Sequence, residues 1–229
     1  MADNVPFAVK EAFETLRTNL IYVSSADNGK VFAITSAGEG SGKSTIIANL
    51  AYSFACVQKK VILIDADMRS PAQSEFFKHD KSRLGLSEFL SGMASDKKDI
   101  IEKTQCEGLD VIHGGRIPPN PSELLLSARF GELIDALKAE YDFVFIDFPP
   151  VGVVSDAISV AKYVSGYIFV ARANASKSIA VKDSIEKLET VGAKIVGVVF
   201  NDVNYKYGMS YGRYGKYGKY GKYGKYANT

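Results

Sequence analysis

The sequence predicts an α/β fold in which a doubly wound, mostly parallel sheet is flanked by helices. Short β-rich runs alternate with longer helical patterns, the order that a parallel sheet with helices on both faces requires. The β-rich runs are almost continuously apolar, as expected for strands that are buried on both faces. The 229 residues, of which 46% are hydrophobic and 24% charged, suit one globular domain and exclude wholesale disorder.

Each element is placed by one of these runs. Six strands are expected, at Val31–Thr35, Val61–Asp65, Leu109–His113, Phe143–Asp147, Tyr167–Arg172 and Ile195–Asn201. Five helices are expected, at Ala8–Val23, Ser44–Val57, Pro121–Glu140, Asp156–Tyr163 and Ser178–Val191. The apolar side of the first helix is expected to carry Phe13, Leu16, Leu20 and Tyr22. Because no boundary is visible before about residue 204, residues 1–204 are expected to form one domain.

Residues 205–229 differ from the rest of the chain in composition. They hold six basic and no acidic residues, a local charge of +6, whereas residues 1–204 carry a net charge of −4. They also hold eight of the thirteen tyrosines: Tyr205, Tyr207, Tyr211, Tyr214, Tyr217, Tyr220, Tyr223 and Tyr226. Glycine at every third position opposes both helix and strand, so the segment is expected to be a flexible, basic tail.

The composition also argues against several classes of protein. No run of about 18 apolar residues is present, so no segment is expected to span a membrane. The first residues lack the pattern of a secretory signal. Two isolated cysteines and two isolated histidines fit neither a disulfide framework nor a metal-binding spacing. The expected compartment is the reducing cytoplasm.

The segment 37–45, AGEGSGKST, follows an apolar strand and opens a helix, which is the context of a phosphate-binding loop. Glycines let successive backbone N–H groups surround phosphate oxygens, and the helix N-terminus adds a favourable partial charge. Lys43 is expected to reach the β- and γ-phosphates, and Ser44 to bind Mg²⁺. The alternative is a glycine-rich turn that binds nothing. The expected nucleotide-binding residues are Gly38, Glu39, Gly40, Ser41, Gly42, Lys43, Ser44 and Thr45.

Carboxylates end two further strands. Asp65 and Asp67 are expected to point the same way at the carboxyl edge of the sheet, where ligands bind in such folds. A pair suggests that one carboxylate helps to hold Mg²⁺ and the other accepts a proton from an attacking hydroxyl. The alternative is two solvated turn residues that cap a helix. Asp147, which ends an apolar strand, is typical of the Mg²⁺-side carboxylate of a P-loop nucleotidase.

These three sites resemble the Walker A, Walker A′ and Walker B motifs of bacterial tyrosine kinases of the capsule and exopolysaccharide type. The run PPNPSELL, the run GVVFN that ends at Asn201, and the terminal tyrosine cluster are similar as well. The resemblance extends over essentially the whole chain. Its specific part is the Asp-x-Asp pair together with the tyrosine cluster, since Walker A and B motifs alone fit many ATPases.

The resemblance implies an ATP- and Mg²⁺-dependent protein tyrosine kinase that phosphorylates its own eight terminal tyrosines, between subunits. The implied catalytic residues are Lys43, Asp65 and Asp67, with Asp65 as a candidate base whose role could be exchanged with that of Asp67. The implied Mg²⁺ ligands are Ser44, Asp67 and Asp147. Asn201 is assigned to the nucleotide from its position in the family's pattern, and Arg69 to the incoming phosphate or a neighbouring subunit.

The first helix departs from the family's pattern. The family carries Glu-x-x-Arg-x-x-Arg there, used to assemble a ring of subunits, and this chain has Glu11, Glu14 and Arg17 at those positions. Glu11 and Arg17 are therefore the expected oligomer contacts, and the change at Glu14 leaves the ring geometry open. The alternative is an amphipathic helix that only packs on the body.

The resemblance also implies partners and a biological setting. The expected partners are the cytoplasmic segment of a transmembrane activator, further copies of the chain and a cognate tyrosine phosphatase. The activator would recruit the kinase to the inner face of the cell membrane, where it would regulate capsular or extracellular polysaccharide synthesis or export. Nucleic acid is not expected as a partner, although interleaved lysine and tyrosine can bind single strands. Contact with anionic lipid, or no function at all, are further alternatives for the tail.

The main alternative function is a switch ATPase of the septum-positioning or plasmid-partition type. Those proteins usually carry an additional lysine near the start of the phosphate-binding loop, where this chain has Thr35, Ser36 and Ala37. A small-molecule kinase or a simple ATP hydrolase would leave the tyrosine tail unexplained.

Overall fold

The computed structural model describes residues 6–77 and 83–203, and these ranges contain one seven-stranded sheet. The strands are β1 Val31–Ser36, β2 Val61–Asp65, β3 Ile101–Lys103, β4 Leu109–Ile112, β5 Phe143–Asp147, β6 Gly166–Arg172 and β7 Ile195–Asn201. Their order across the sheet is β3-β4-β2-β5-β1-β6-β7, and every pairing is parallel except that of β3 with β4. The expected mostly parallel α/β fold is confirmed.

Helices cover the sheet on both faces. Within the described ranges they are α1 Phe7–Asp27, α2 Lys43–Ala55, α3 Gln73–Phe76, α4 Leu86–Leu90, α5 Pro121–Leu126, α6 Ala128–Glu140, α7 Asp156–Ser159 and α8 Ser178–Thr190. Alternate residues of each strand face opposite layers, so the core forms two clusters. One cluster packs the sheet against α1 and α2, and the other packs it against helices that include α4, α6 and α8.

The elements that differ from the prediction are short or broken ones. The strand β3 was not expected, because three residues of the sequence Ile-Glu-Lys make no apolar run. The helices α3 and α4, of four and five residues, are too short to show a helical period. The single helix expected over 121–140 is interrupted at Ser127, whose backbone is extended (φ −64°, ψ 152°).

The first helix packs on the body through part of its length. Leu20 is buried and Phe13 and Leu16 are partly buried against α2 and the sheet. Tyr22, expected on the apolar side, is instead 73% exposed, and Phe7 at the start of α1 is 76% exposed. In the described part of the chain, no helix combines the length and apolar character needed to cross a bilayer.

Candidate active site

Three adjacent central strands, β2, β5 and β1, bring the motif residues together. The register pairs Asp65 directly with Asp147 and Ile34 with Asp147, so the loop after β1 starts beside both carboxylates. Thr35 ties the ends of β1 and β5, because its hydroxyl donates to the Pro149 carbonyl (2.8 Å) and accepts from the Val151 N–H (3.0 Å).

The phosphate-binding loop runs over residues 37–42, and α2 begins at Lys43. Gly40 and Gly42 have φ of +68° and +89°, a left-handed conformation that favours glycine. Two carbonyl oxygens of the loop are held from the β6–β7 side. The Arg172 Nη1 donates to the Gly40 oxygen (3.1 Å), and the Asn201 Nδ2 donates to the Ser41 oxygen (2.9 Å). These hydrogen bonds fix the orientation of the loop peptides. That orientation decides whether the N–H groups of the loop face inward, toward a phosphate.

Lys43 is surrounded by the predicted cation ligands. Its Nζ lies 3.2 Å from Asp67 Oδ2, 3.8 Å from Asp147 Oδ1 and 3.3 Å from the Ser44 Oγ. The lysine, the hydroxyl and both carboxylates therefore share one small volume next to the loop. The structure brings together the residues that the sequence assigned to phosphate and Mg²⁺.

Asp65 is the most constrained of the carboxylates. It is fully buried, and its oxygens accept from the backbone N–H groups of Asp67 (3.2 Å) and Gln73 (2.9 Å). Burial, with a further contribution from the neighbouring Asp147, raises the pKa of Asp65 well above its ordinary value. Asp67 is slightly more accessible and also accepts from the Ser70 N–H (3.1 Å).

Asp147 has the donor chemistry that a divalent cation needs. Burial raises its pKa, although the positive charge of Lys43 opposes this shift. Its Oδ2 accepts from the Gln73 Nε2 (2.8 Å), whereas its buried Oδ1 has no hydrogen-bond partner among the described residues. Mg²⁺ is usually held by one or two carboxylates, with phosphate oxygens and water completing the shell. A carboxylate oxygen without a hydrogen bond, 3.8 Å from the Lys43 Nζ and beside Asp67 and Ser44, fits that requirement.

The other predicted residues lie away from this cluster or outside the described ranges. Arg17 donates from Nη1 to the Ser53 carbonyl (2.9 Å), ten residues along α2 from Lys43, and Glu11 is exposed on α1. Their role in an oligomer stays a prediction. The eight tail tyrosines all lie outside the described residues, as does the boundary that the sequence predicts near residue 204.

Comparisons with known proteins place the chain in a family. A protein-family model described as an AAA domain matches residues 29–181. The tyrosine-protein kinase CpsD of Streptococcus agalactiae serotype III (strain NEM316) is 42% identical over 195 residues, which cover 85% of this chain and 83% of that protein. The chain belongs to the bacterial tyrosine kinases. The putative tyrosine-protein kinase CapB of Staphylococcus aureus is 34% identical over 214 residues, covering 92% of this kinase and 93% of CapB.

Solved structures agree with this assignment. The kinase domain of the Escherichia coli tyrosine kinase ETK superposes on the kinase with a TM-score of 0.79 and 35% identity, covering 89% of this chain and 80% of that one. MinD of Pyrococcus horikoshii, a septum site-determining protein, gives a TM-score of 0.64 and 26% identity, covering 75% of this chain and 69% of that one. The expected family, enzyme class and capsule or exopolysaccharide context are confirmed, and the switch-ATPase type is the more distant match.

Three polar residues of the kinase were missed or only partly understood from the sequence. Gln73 joins Asp65 to Asp147, yet a lone glutamine eight residues after Asp65 belongs to no pattern. Arg172 holds the Gly40 carbonyl, and its position at the end of a predicted strand was the only available signal. Asp156 pairs with Arg69, but an acidic residue at the start of a predicted helix is usually only a cap.

Proposed function

We propose that this kinase transfers the γ-phosphoryl group of ATP to tyrosine hydroxyls of its own C-terminal cluster, between subunits. Autophosphorylation would regulate the synthesis or export of capsular or extracellular polysaccharide. The observation that carries the proposal is the position of Lys43 among Asp67, Asp147 and Ser44, in a chain that ends with eight tyrosines. The names of the capsule-related kinases that resemble it support the same function.

The nucleotide would be held by the loop and by Lys43. Bound Mg·ATP supplies the phosphoryl group and a cation that neutralises its charge. Asp67, Asp147 and Ser44 are the residues that would hold this cation. An apolar groove of about 540 Å³ is lined by Phe13 of α1, Ile46 of α2 and Asn201 among others, and Asn201 also bonds to the Ser41 carbonyl of the loop. Its apolar walls suit an adenine ring.

Transfer requires a proton acceptor. A tyrosine hydroxyl has a pKa near 10 and reaches the site protonated. The bond between the γ-phosphorus and its bridging oxygen breaks, a bond to the tyrosine oxygen forms, and the phenolic proton passes to a carboxylate. Asp65 is the first candidate, because a raised pKa makes a carboxylate a better acceptor near neutral pH. Asp67 is the second candidate, because it is the less buried of the two.

The primary test is mass spectrometry of the full-length protein after incubation with Mg·ATP. We expect phosphate on several of the tyrosines between Tyr205 and Tyr226, and a loss of about 10²–10³-fold in initial rate for Lys43→Met. Lys98→Met, which removes an exposed lysine away from the site, should leave the rate unchanged. Consumption of ATP with an unmodified tail would contradict the proposal.

Transfer between subunits is tested by mixing two full-length variants. One is Lys43→Met with an intact tail, and the other has all eight tail tyrosines changed to phenylalanine. Phosphate on the tail of the Lys43→Met protein requires transfer from one subunit to another. An unmodified tail in the mixture, with an active wild type alongside, would show transfer within a subunit.

The roles of the two carboxylates are separated by titrating Mg²⁺. Asp65→Asn, as the loss of a base, should lower kcat to a level that excess Mg²⁺ does not restore. Asp67→Asn, as the loss of a cation ligand, should raise the Mg²⁺ concentration needed for half-maximal rate. The reverse pattern would exchange the two roles.

We further propose that the cytoplasmic segment of a transmembrane activator stimulates the kinase and recruits it to the inner face of the membrane, and that a cognate phosphatase reverses the modification. In the putative tyrosine-protein kinase EpsB of Ralstonia solanacearum, the matching region is 28% of that protein, so further sequence accompanies it there. Tail phosphorylation that is already maximal, and unchanged by a peptide from a candidate activator, would contradict this arrangement.

A further inference from the structure

A second ionic cluster lies beside the catalytic carboxylates, and the proposed transfer does not use it. Asp156 is fully buried, and its Oδ2 accepts from the Arg69 Nε (3.1 Å). Its Oδ1 accepts from the Arg69 Nη2 (3.3 Å) and from the Ser122 hydroxyl (2.6 Å). The Arg69 Nη2 also donates to the Ser122 oxygen (2.9 Å). One edge of the guanidinium is therefore fixed, although the Arg69 side chain remains 40% exposed.

Arg69 lines an open groove of about 470 Å³, which lies within the range of about 300–1,000 Å³ typical of small-ligand sites. Both charged residues of the lining are basic, Arg69 and Lys187 of α8. Lys187 is exposed, and its ammonium has no ion pair or hydrogen bond among the described residues. Val151, Val153 and Ile158 give the groove an apolar side.

The groove adjoins the catalytic site directly. Its wall includes the loop over residues 151–155, and the Val151 N–H donates to Thr35 at the end of β1. Gly152 packs so closely on the Ala37 carbonyl that a Cβ at this position would overlap it. Arg69 itself follows Asp67 by two residues. A ligand in the groove would therefore sit next to the phosphate-binding loop.

We propose that this groove binds a phosphotyrosine side chain that the kinase has already formed in its tail, an inference that rests on the proposed function. The aromatic ring suits the apolar side, and a phosphate of about −1.5 to −2 charge suits two cations, of which Arg69 is held in one orientation by Asp156. An unmodified tail segment, in which lysines accompany the tyrosines, has no anionic group that Arg69 and Lys187 could bind. Asp156 acts here as a positioning residue, because it fixes the orientation of Arg69.

The spacing of the tail tyrosines allows this arrangement. Six tyrosines from Tyr211 to Tyr226 recur every three residues, and three residues of an extended peptide span about 10 Å. The Cα atoms of Asp67 and Arg69 are at most about 7 Å apart, because two peptide units separate them. A phosphotyrosine bound in the groove would bring the next tyrosine within reach of the catalytic carboxylates. The first phosphorylation should therefore favour the second.

The test compares two peptides of the sequence 211–223, one unmodified and one with phosphate on the residue that corresponds to Tyr217. The enzyme is the full-length kinase with its own tail tyrosines changed to phenylalanine, so that only the peptides accept phosphate. We expect the phosphorylated peptide to have a KM about five- to tenfold lower, with little change in kcat.

Variants assign this preference to the groove. Lys187→Ala should reduce the preference, since Arg69 remains in the groove, and leave the kinetics of the unmodified peptide unchanged. Lys182→Ala is the matched control, because it removes an exposed lysine of the same helix that does not line the groove. Asp156→Asn should also reduce the preference, through KM and not kcat. Phosphoserine in the peptide should lower the KM less than phosphotyrosine does, because phosphoserine lacks the aromatic ring.

Three results would overturn the proposal. They are equal KM values for the two peptides, a preference that Lys187→Ala does not reduce, and equal decreases in KM from phosphotyrosine, from phosphoserine and from free inorganic phosphate added with the unmodified peptide. These results differ from a failure of the proposed function. In that case neither peptide is phosphorylated, and the wild-type tail also stays unmodified in Mg·ATP.

Discussion

Two ionic clusters with buried carboxylates lie side by side in this kinase, and they differ in their balance of charge. The catalytic cluster sets three carboxylates, Asp65, Asp67 and Asp147, against Lys43, and one carboxylate oxygen lacks a hydrogen bond among the described residues. The neighbouring cluster sets one carboxylate, Asp156, against one guanidinium, and the Ser122 hydroxyl completes its hydrogen bonds.

The difference separates a site that binds from a site that positions. Excess negative charge in a buried place raises the pKa of the carboxylates, and an added cation relieves that unfavourable state. A pair of one carboxylate and one guanidinium is already neutral and needs no added cation. Its hydrogen bonds instead hold a side chain in one orientation. The same isosteric change, aspartate to asparagine, should therefore have opposite effects on the stability of the two clusters.

The largest effect is expected in the balanced cluster. Asp156→Asn removes the carboxylate that pairs with Arg69, and we expect a loss of about 2 kcal/mol in the free energy of unfolding. The expected loss is smaller than the loss on breaking a fully buried ion pair, because the Arg69 side chain can turn toward water. Urea denaturation at neutral pH measures the change. Ser122→Ala, which removes a hydrogen bond and keeps the charges, should cost about 1 kcal/mol or less. Equal losses for the two variants would contradict the comparison.

The catalytic cluster should respond in the opposite direction. Asp147→Asn removes one of three crowded negative charges, and without Mg²⁺ it should stabilise the protein at pH 7–8 by on the order of 1 kcal/mol. Because the same residue is a proposed cation ligand, the variant should also lose the stabilisation that Mg·ADP gives the wild type. Thermal unfolding with and without Mg·ADP measures both effects. If Asp147→Asn destabilised the Mg²⁺-free protein, the catalytic cluster would not carry an excess of negative charge.

The pH dependence gives the sign of this effect independently. Burial raises the pKa values of Asp65 and Asp147 in the folded protein above the ordinary value of 3.8. The folded state then binds more protons than the unfolded state between those values, so the contribution of these groups to stability falls as pH rises through the folded pKa. The difference in stability between Asp147→Asn and the wild type should therefore grow with pH above 4, and saturating Mg·ADP should change that trend. A difference independent of pH would show that Asp147 keeps an ordinary pKa.

The sequence was informative where the chemistry is local. Strands buried on both faces appear as continuous apolar runs, and parallel pairing then carries the residues at their ends to one edge. For this reason the grouping of Lys43, Asp65, Asp67 and Asp147 could be anticipated. The loop conformation follows from its glycines in the same way.

Contacts between distant residues could not be anticipated in this way. Arg69 meets Asp156 across 87 positions of sequence, and Gln73 meets Asp147 across 74. Neither pair leaves a periodicity or spacing that could be read along the chain. The strand β3 was missed for a related reason, since it pairs antiparallel with β4 at the edge of the sheet through only three residues.

Asn201 lies between these two cases, and the smallest predicted effect concerns it. The resemblance to the family suggested a nucleotide contact for it, and in the structure its amide donates to the Ser41 carbonyl of the loop while it lines the apolar groove. Asn201→Ala should weaken ADP binding about three- to tenfold, as expected for the loss of about 1 kcal/mol. Asp183→Asn is the control, because it changes an exposed residue of α8 that lines neither groove.

Inorganic triphosphate distinguishes the two possible roles of Asn201. If the residue acts by supporting the loop, Asn201→Ala should weaken triphosphate and ATP binding by the same factor, because both ligands use the loop amides. If it contacts the base, only ATP binding should weaken, because triphosphate has no adenine. Isothermal titration with both ligands measures the two factors. The hydrogen bond to Ser41 favours the first result, and unchanged affinity for both ligands would remove Asn201 from the site altogether.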